Sequence, residues 1–305
     1  NAKKKKMILK SLGNFVEIAA QKGKKRLAVA VAQDEDVLKA IKSAMQAGII
    51  IPILVGDRHE IMISAEHAEL DLSGIEIFHE PDRQNACLVA VKLVRNGRAD
   101  ILMKGLVSSG VLLKAILDKE TGLLKGSLLS HVAFFETSFY HKILCITDAA
   151  LNISPDFNEK CAIVNNAVSV FHKLGISNPR VAVLAAVETV NPRMEATVHG
   201  AMLTMMQKRN QIEGCIIDGP LALDNAVSAD AAKHKGLKSE VAGDADILVT
   251  PDLNSGNMLY KSLNFLGGAF VAAIVAGASV PVVLTSRADQ DKSKFMSIAL
   301  AAAMT

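Results

Sequence analysis

Short apolar, β-branched runs alternate with amphipathic segments along nearly the whole chain. Continuous apolar runs are typical of parallel strands that are buried on both faces of a sheet. The segments between the runs repeat their apolar residues at helical spacing. The pattern therefore predicts an α/β fold. The predicted strands cover residues 26–32, 49–55, 75–79, 101–103, 128–136, 142–147, 180–185, 213–217, 247–250 and 280–284.

The amphipathic segments predict the helices that connect these strands. Good N-cap residues precede several of them, and glycines follow their ends. Only the 128–136 and 142–147 strands are joined by a short turn, which predicts an antiparallel hairpin there. The predicted helices cover residues 9–22, 34–47, 57–70, 82–96, 156–175, 193–207, 257–276 and 294–304.

The alternating pattern begins again near Asp148, which predicts two α/β domains. We expect the first domain to comprise residues 1–147. The second domain would comprise residues 148–290. Each set is of the size that a single domain commonly has.

Polar residues follow the predicted strand at 280–284, where Thr285, Ser286, Arg287, Asp289 and Asp291 lie within seven positions. In open α/β sheets, ligands bind outside the carboxyl ends of the strands. A hydroxyl, a guanidinium and two carboxylates at such a place predict a ligand site. A solvated polar loop explains the same residues about equally well.

Two more strand ends carry glycine and hydroxyl residues at the start of a helix, where backbone N–H groups attract anions. The segment KGLVSSG supplies Lys104, Ser108 and Ser109, and an ordinary N-cap by either serine is the alternative. The second segment, PDLNSGNMLYK, has structural turns as its alternative. It supplies Ser255, Gly256, Asn257 and Lys261.

Composition narrows the class of protein. Of the 305 residues, 50% are hydrophobic and 21% are charged, so a large core can form. A net charge of +3 is too small to indicate a nucleic-acid partner. The four scattered cysteines form no CxxC pair, which argues against a metal knuckle and for reduced thiols in a cytoplasmic protein. No apolar run is long enough to span a bilayer.

Three segments taken in order, DGPLALDNAV, ADILVTPDLNSGNMLYK and VPVVLTSRAD, resemble the phosphate acetyl/butyryl transferase family. The GPLALDNAVS and TSRAD forms point to the butyryl members. KGLVSSG and the strand LLSHVAFFE fit the same family. The resemblance covers residues 26–305.

The resemblance implies a two-domain fold similar to that of isocitrate and isopropylmalate dehydrogenases, with α/β/α layers. It places the active site in the cleft between the domains and returns the C-terminal helix, residues 291–305, to the first domain. The implied reaction converts acyl-CoA and phosphate into acyl phosphate and CoA. Coenzyme A and phosphate are substrates, neither a metal nor a bound cofactor is needed, and members assemble as homodimers or larger oligomers.

The resemblance also implies roles for single residues. Ser286 matches a serine near the reacting thiol, and Arg287 matches the neighbouring arginine, for the phosphoryl group. Acetyl members carry a catalytic aspartate where this chain has Ser293, so Asp289, or less favoured Asp291, is the candidate base. The remaining candidates would hold phosphate or substrate; they are Ser255, Gly256, Asn257, Lys261, Lys104, Ser108, Ser109 and His131.

His131 lies on an apolar predicted strand. A histidine in such a place is more often a hydrogen-bonded core residue than a catalytic residue.

Two other functions stay open besides an acetyl-specific transferase. One is a metal-assisted NAD(P)-dependent dehydrogenase of the same fold, for which Asp218 and Asp224 are the available carboxylates. The other is a non-catalytic module that binds CoA or a nucleotide.

Overall fold

The computed structural model describes residues 8–285 and 291–305. The chain divides into two compact units. The N-terminal unit comprises Gly13–Leu129 and Ala272–Thr305. The central unit comprises Ser130–Val271 together with residues 8–12.

In the N-terminal unit the strands form a mostly parallel sheet in the order β3-β2-β1-β4-β11-β10. β11 runs parallel to β4 and antiparallel to β10. The strands are β1 (Lys25–Ala30), β2 (Ile50–Gly56), β3 (Glu76–His79), β4 (Ile101–Lys104), β10 (Phe270–Ala276) and β11 (Val282–Val283).

Within the described residues, six helices accompany this sheet. Aspartates at positions 34, 57 and 82 cap the second, third and fourth helices with side-chain hydrogen bonds, as their sequence positions predict. The last helix packs against the first two and is buried from Ile298 to Met304. The helices are α1 (Gly13–Lys22), α2 (Glu35–Gln46), α3 (Arg58–His67), α4 (Arg83–Arg95), α5 (Ser109–Ile116) and α11 (Asp291–Met304).

In the central unit the strand order is β5-β6-β9-β7-β8. β5 is antiparallel to β6, as predicted, and the other neighbours are parallel. The strands are β5 (Ser130–Glu136), β6 (Leu144–Thr147), β7 (Arg180–Leu184), β8 (Ile216–Leu221) and β9 (Ile247–Val249). The helices are α6 (Phe157–Lys173), α7 (Glu195–Lys208), α8 (Leu223–Val227), α9 (Ala229–His234) and α10 (Leu253–Lys261).

The bounds of the two units differ from the predicted division at Asp148. The hairpin of β5 and β6 belongs to the central unit because β6 pairs along its length with β9. The segment before α1 belongs there too, since Leu9 O accepts from Ile143 N at 2.9 Å and Leu12 N donates to Glu136 Oε2 at 2.7 Å. The helix predicted from residue 9 therefore begins only at Gly13.

The helix predicted over 257–276 is wrong in its second half. α10 ends at Lys261, a π-helical turn covers Ser262–Leu266, and Phe270–Ala276 is strand β10. Gly267 and Gly268 separate the two elements, and Gly268 has a φ of +61°, which L side chains rarely adopt. The β-branched residues Val271, Ile274 and Val275 then favour the strand.

Each unit has a place where the strand order reverses. In the N-terminal unit it lies between β1 and β4, and in the central unit between β7 and β9. The loops at the carboxyl ends of those strands are the expected ligand positions of an open α/β sheet. KGLVSSG follows β4 and PDLNSGN follows β9, so both predicted segments lie at such a position.

Candidate functional site

The loop that follows β11 carries the predicted catalytic residues. Ser286, Arg287 and Asp289 lie outside the described residues. Asp291 is exposed in the first turn of α11, and Ser293 is half-buried two residues further on in the same turn. Of the two candidate bases, Asp291 therefore lies in the part of the chain that the structure describes, and Asp289 lies outside it.

The start of α10 is closed by a capping box between Asp252 and Ser255. Asp252 Oδ1 accepts from Ser255 N at 2.8 Å, and Asp252 N donates to Ser255 Oγ at 3.3 Å. Ser255 Oγ also lies 2.9 Å from Asp252 O. The Ser255 hydroxyl is therefore engaged within its own turn, and a carboxylate occupies the positive end of the helix dipole.

Gly256 and Asn257 attach α10 to the loop that follows β6. A Cβ atom on Gly256 would lie 2.4 Å from Asp148 O and 2.7 Å from Thr250 Oγ1, so only glycine allows this approach. Asn257 Nδ2 donates to Ala149 O at 3.1 Å. The PDLNSGN segment thus serves first to seat α10 on residues 148–149.

Asp148 organises that loop, and the sequence reasoning missed it. Its side chain is 3% exposed and accepts hydrogen bonds on both carboxylate oxygens. The sequence signal for this residue is an aspartate directly after a buried strand. At such a position the carboxylate can accept from the backbone amides two and three residues further on, in an Asx turn. Asn152 supplies a further donor from the same loop.

His131 lies on β5 next to this loop. Its backbone N donates to Asp148 Oδ2 at 3.2 Å, and its backbone O accepts from Thr147 Oγ1 at 2.8 Å. The imidazole is buried, with its centroid 5.8 Å from that of the Tyr260 ring. The backbone of His131 therefore supports the loop after β6, and its ring belongs to an aromatic cluster with Tyr260.

Lys261 lies in the last turn of α10, away from the helix start. Its side chain is exposed, and Nζ lies 5.9 Å from the centre of the Phe265 ring. This contact is a cation–π interaction at an exposed site. The ammonium group belongs to the far end of α10 and not to its first turn.

In the N-terminal unit, Lys104 is buried at the end of β4, with 6% of its surface exposed. Its Nζ donates to Gly105 O and Val107 O, each at 3.2 Å. A Cβ atom on Gly105 would lie 2.0 Å from Val31 O, so the loop after β4 requires glycine to lie against the end of β1. The ammonium group is held beside neutral carbonyls at the reversal point of the strand order.

Ser108 is the N-cap residue of α5, but within the described residues its side chain makes no capping hydrogen bond. The hydroxyl is exposed, and Ser109 is half-buried in the first turn. An open cavity of about 490 Å³ adjoins Ser108, and Arg83 and Gln84 of α4 line its other side. Ser108 therefore stands at the N-cap position without making the side-chain hydrogen bond of an ordinary N-cap.

The aspartates considered for a metal are engaged with other groups. Asp218 Oδ1 accepts from Gly219 N at 2.9 Å, and Asp224 lies 3.4 Å from Lys235 Nζ. Lys235 also pairs with Glu188 at 3.2 Å. Among residues 8–285 and 291–305, no group of three or more His, Cys, Asp or Glu side chains is placed to hold a metal ion. Nor does this part of the chain contain a helix with the length and hydropathy that a bilayer crossing requires.

Comparison with known proteins places this chain in a family. The model of the phosphate acetyl/butaryl transferase family matches residues 11–86 and 79–302. A phosphate butyryltransferase of Clostridium acetobutylicum is 48% identical over 97% of this chain and 98% of its own. A phosphate acetyltransferase of Thermotoga maritima is 43% identical over 95% of this chain and 98% of its own.

Comparison with a solved structure indicates the same family. The crystal structure of a branched-chain phosphotransacylase from Enterococcus faecalis has a TM-score of 0.81 and 35% identity, over 92% of this chain and 98% of that one. The chain belongs to the phosphate acetyl/butaryl transferase family. The predicted family, the two-domain α/β fold class and the assignment as a phosphate acyltransferase enzyme are confirmed.

Proposed function

We propose that this protein interconverts acyl-CoA and phosphate with acyl phosphate and CoA, with butyryl as the acyl group. The observation that carries the proposal is the 48% identity to a phosphate butyryltransferase over nearly the full length of both chains. The identity to the acetyl enzyme is lower, at 43%. Phosphate acetyl transfer is the second candidate, since the two substrates differ only in chain length.

The reaction needs a thiolate, an oxyanion partner and a cation for phosphate. A free thiol has a pKa near 8.5, so a nearby carboxylate that accepts its proton raises the reactive fraction at neutral pH. We assign this role to Asp289, with Asp291 as the alternative. Ser286 donates a hydrogen bond to the sulfur or the developing oxyanion, and Arg287 binds the phosphoryl group. The resemblance of TSRAD to the family supports these roles.

We assign the anionic substrate in the N-terminal unit to the loop after β4. Two features support it: the buried Lys104 ammonium and the Ser108 hydroxyl, which its own helix leaves unused. Ser109 adds a hydroxyl and an amide in the first turn of α5. Coenzyme A and phosphate act as substrates in this scheme, and no bound cofactor takes part.

In the central unit we assign a shaping role to the start of α10. Ser255 closes the capping box, while Gly256 and Asn257 hold the helix on the loop after β6. Lys261 contributes positive charge from the exposed side of the same helix. His131 supports that loop through its backbone.

Kinetics with a series of acyl-CoA thioesters test the acyl preference. Phosphate-dependent thiol release should be most efficient, by kcat/KM, with butyryl-CoA. One methylene in an apolar pocket changes binding by about 1–3 kcal/mol, so the preference over acetyl-CoA should be about tenfold or more. A maximum at acetyl-CoA would transfer the assignment to the second candidate.

The catalytic assignments are tested separately from the acyl preference. Asp289→Asn should lower kcat by about two to four orders of magnitude, the usual effect of losing a general base. Asp291→Asn is the matched control and should keep kcat near the wild-type value. The opposite pattern would move the role of the base to Asp291.

We further propose that the protein forms a homodimer or a larger homo-oligomer. An apolar surface patch in the central unit supports this assembly. It consists of Met258, Phe265 and Leu266, which are 65%, 68% and 87% exposed. Neighbouring exposed apolar side chains of this size mark interaction surfaces in soluble proteins.

A further inference from the structure

We propose that Asp148 is a positioning residue of the acyl-transfer site, acting through the first turn of α10. The inference rests on the function proposed above and adds a residue to it. Asp148 lies at the carboxyl end of β6, beside β9, where ligands bind in sheets of this kind. It is buried, so it acts on the reaction through its neighbours and not by contact with substrate.

All four acceptor positions of the Asp148 carboxylate are occupied. Oδ1 accepts from Ala150 N at 2.8 Å and from Leu151 N at 3.0 Å. Oδ2 accepts from His131 N at 3.2 Å and from Asn152 Nδ2 at 2.5 Å. A carboxylate is the side chain that accepts on both ends, and an amide would present N–H groups to two of these donors.

The backbone that this carboxylate fixes is the seat of α10. Asp148 O accepts from Thr250 Oγ1 at 3.0 Å and lies against the Cα of Gly256. Ala149 O accepts from Asn257 Nδ2 at 3.1 Å. The carboxylate therefore couples strand β5 and the loop after β6 to the start of α10.

The position of this turn matters for catalysis because small displacements of an element that shapes the site are costly. A shift of about 1 Å at a substrate-positioning element can lower the rate by about a hundredfold. Replacing the Asp148 carboxylate by an amide would leave two of the four donors without an acceptor and allow the loop to shift. We therefore expect an effect on substrate use at temperatures where the protein is still fully folded.

The test is Asp148→Asn, with steady-state kinetics in phosphate and a thermal unfolding curve. We expect kcat/KM for phosphate to fall by about tenfold or more, chiefly through KM, well below the unfolding temperature. A purely structural role would lower the unfolding temperature and leave both constants of the folded enzyme unchanged. That second result would overturn the inference.

Two further variants keep the test decisive if Asp148→Asn does not fold. The double variant Asp148→Asn/Asn152→Asp reverses the polarity of the hydrogen bond between the two side chains and should recover part of the lost kcat/KM. Asn152→Ala removes one of the four donors and should raise KM for phosphate several-fold. Wild-type kinetics in Asn152→Ala, with no recovery in the double variant, would overturn the inference.

Asp118 offers a matched control. It is an exposed aspartate of the N-terminal unit that accepts from Thr121 N at 2.7 Å and Glu120 N at 3.0 Å in the same kind of turn. Asp118→Asn should leave the phosphate kinetics unchanged. Absence of phosphate-dependent thiol release in the wild-type protein would remove the proposed function and this inference together, whereas an active wild type with unaffected Asp148 variants would remove the inference alone.

Discussion

At the scale of single residues, the central unit contains a buried pair of basic groups between α6 and α7. Lys160 is 3% exposed, and its Nζ lies 3.0 Å from His199 Nδ1. Burial, and next the Lys160 charge, lower the pKa of His199, while Glu195 and Asp156 act in the opposite direction. Burial also lowers the pKa of Lys160, against the charges of Glu195 and Asp252.

This pair predicts an acid-sensitive stability. Because the pKa of His199 is lower in the folded protein, the unfolded chain binds the proton more readily as the pH falls below about 6.5. The unfolding temperature should therefore decrease from pH 7 downward, and His199→Gln should reduce that slope. Thermal unfolding at a series of pH values checks this, and an identical slope in the variant would contradict it. Lys160→Met should reduce the dependence of the unfolding temperature on pH only in part, because the burial of His199 still lowers its pKa.

Glycine replacements give a second test at this scale. Gly256→Ala should destabilise the protein by about 1–3 kcal/mol, the usual cost of overpacking, because the new Cβ meets Asp148 O and Thr250 Oγ1. Gly110→Ala in α5 is the control, since no heavy atom lies within 4 Å of its Cβ. That variant should be neutral or up to about 1 kcal/mol more stable. Urea unfolding measures both, and equal effects of the two changes would refute the close approach.

At the scale of elements, the side-chain hydrogen bonds at helix N-termini distinguish serines that stabilise the fold from serines that are available to bind substrate. Ser228 caps α9, since its Oγ accepts from Ala231 N at 3.2 Å, whereas Ser108 makes no such bond to α5 in the described chain. Ser228→Ala should therefore cost about 1 kcal/mol of stability, as lost caps usually do. Ser108→Ala should leave stability unchanged and raise KM for phosphate. A destabilised Ser108→Ala enzyme with normal kinetics would assign Ser108 to the fold.

The elements themselves were largely predictable from the sequence. Strands such as Arg180–Leu184 and the aspartate caps follow from local pattern and local hydrogen bonding. The run at Phe270–Ala276 was misassigned because its apolar spacing also suits a helix, although its antiparallel partner β11 follows it closely in the chain. The network around Asp148 was missed for a different reason, because three of the hydrogen bonds to residues 148–149 come from other elements.

At the scale of the whole molecule, the exposed patch of Met258, Phe265 and Leu266 predicts self-association. Leu266→Ser combined with Phe265→Ser should lower the mass observed by light scattering toward that of one chain. Phe139→Ser is the matched control, because Phe139 is 85% exposed on the β5–β6 turn and lies outside the patch. A monomeric wild-type protein, or a double variant with unchanged mass, would remove the assembly proposal.

Transfer of the acyl group to phosphate is the step in which all the proposed residue roles take part. Phosphorus-31 NMR of the protein with butyryl-CoA and phosphate measures this transfer. We predict an acyl phosphate resonance whose integral equals the free thiol released, and its disappearance when excess CoA drives the reaction back. Thiol release with no new phosphorus resonance, or no thiol release at all, would contradict the account.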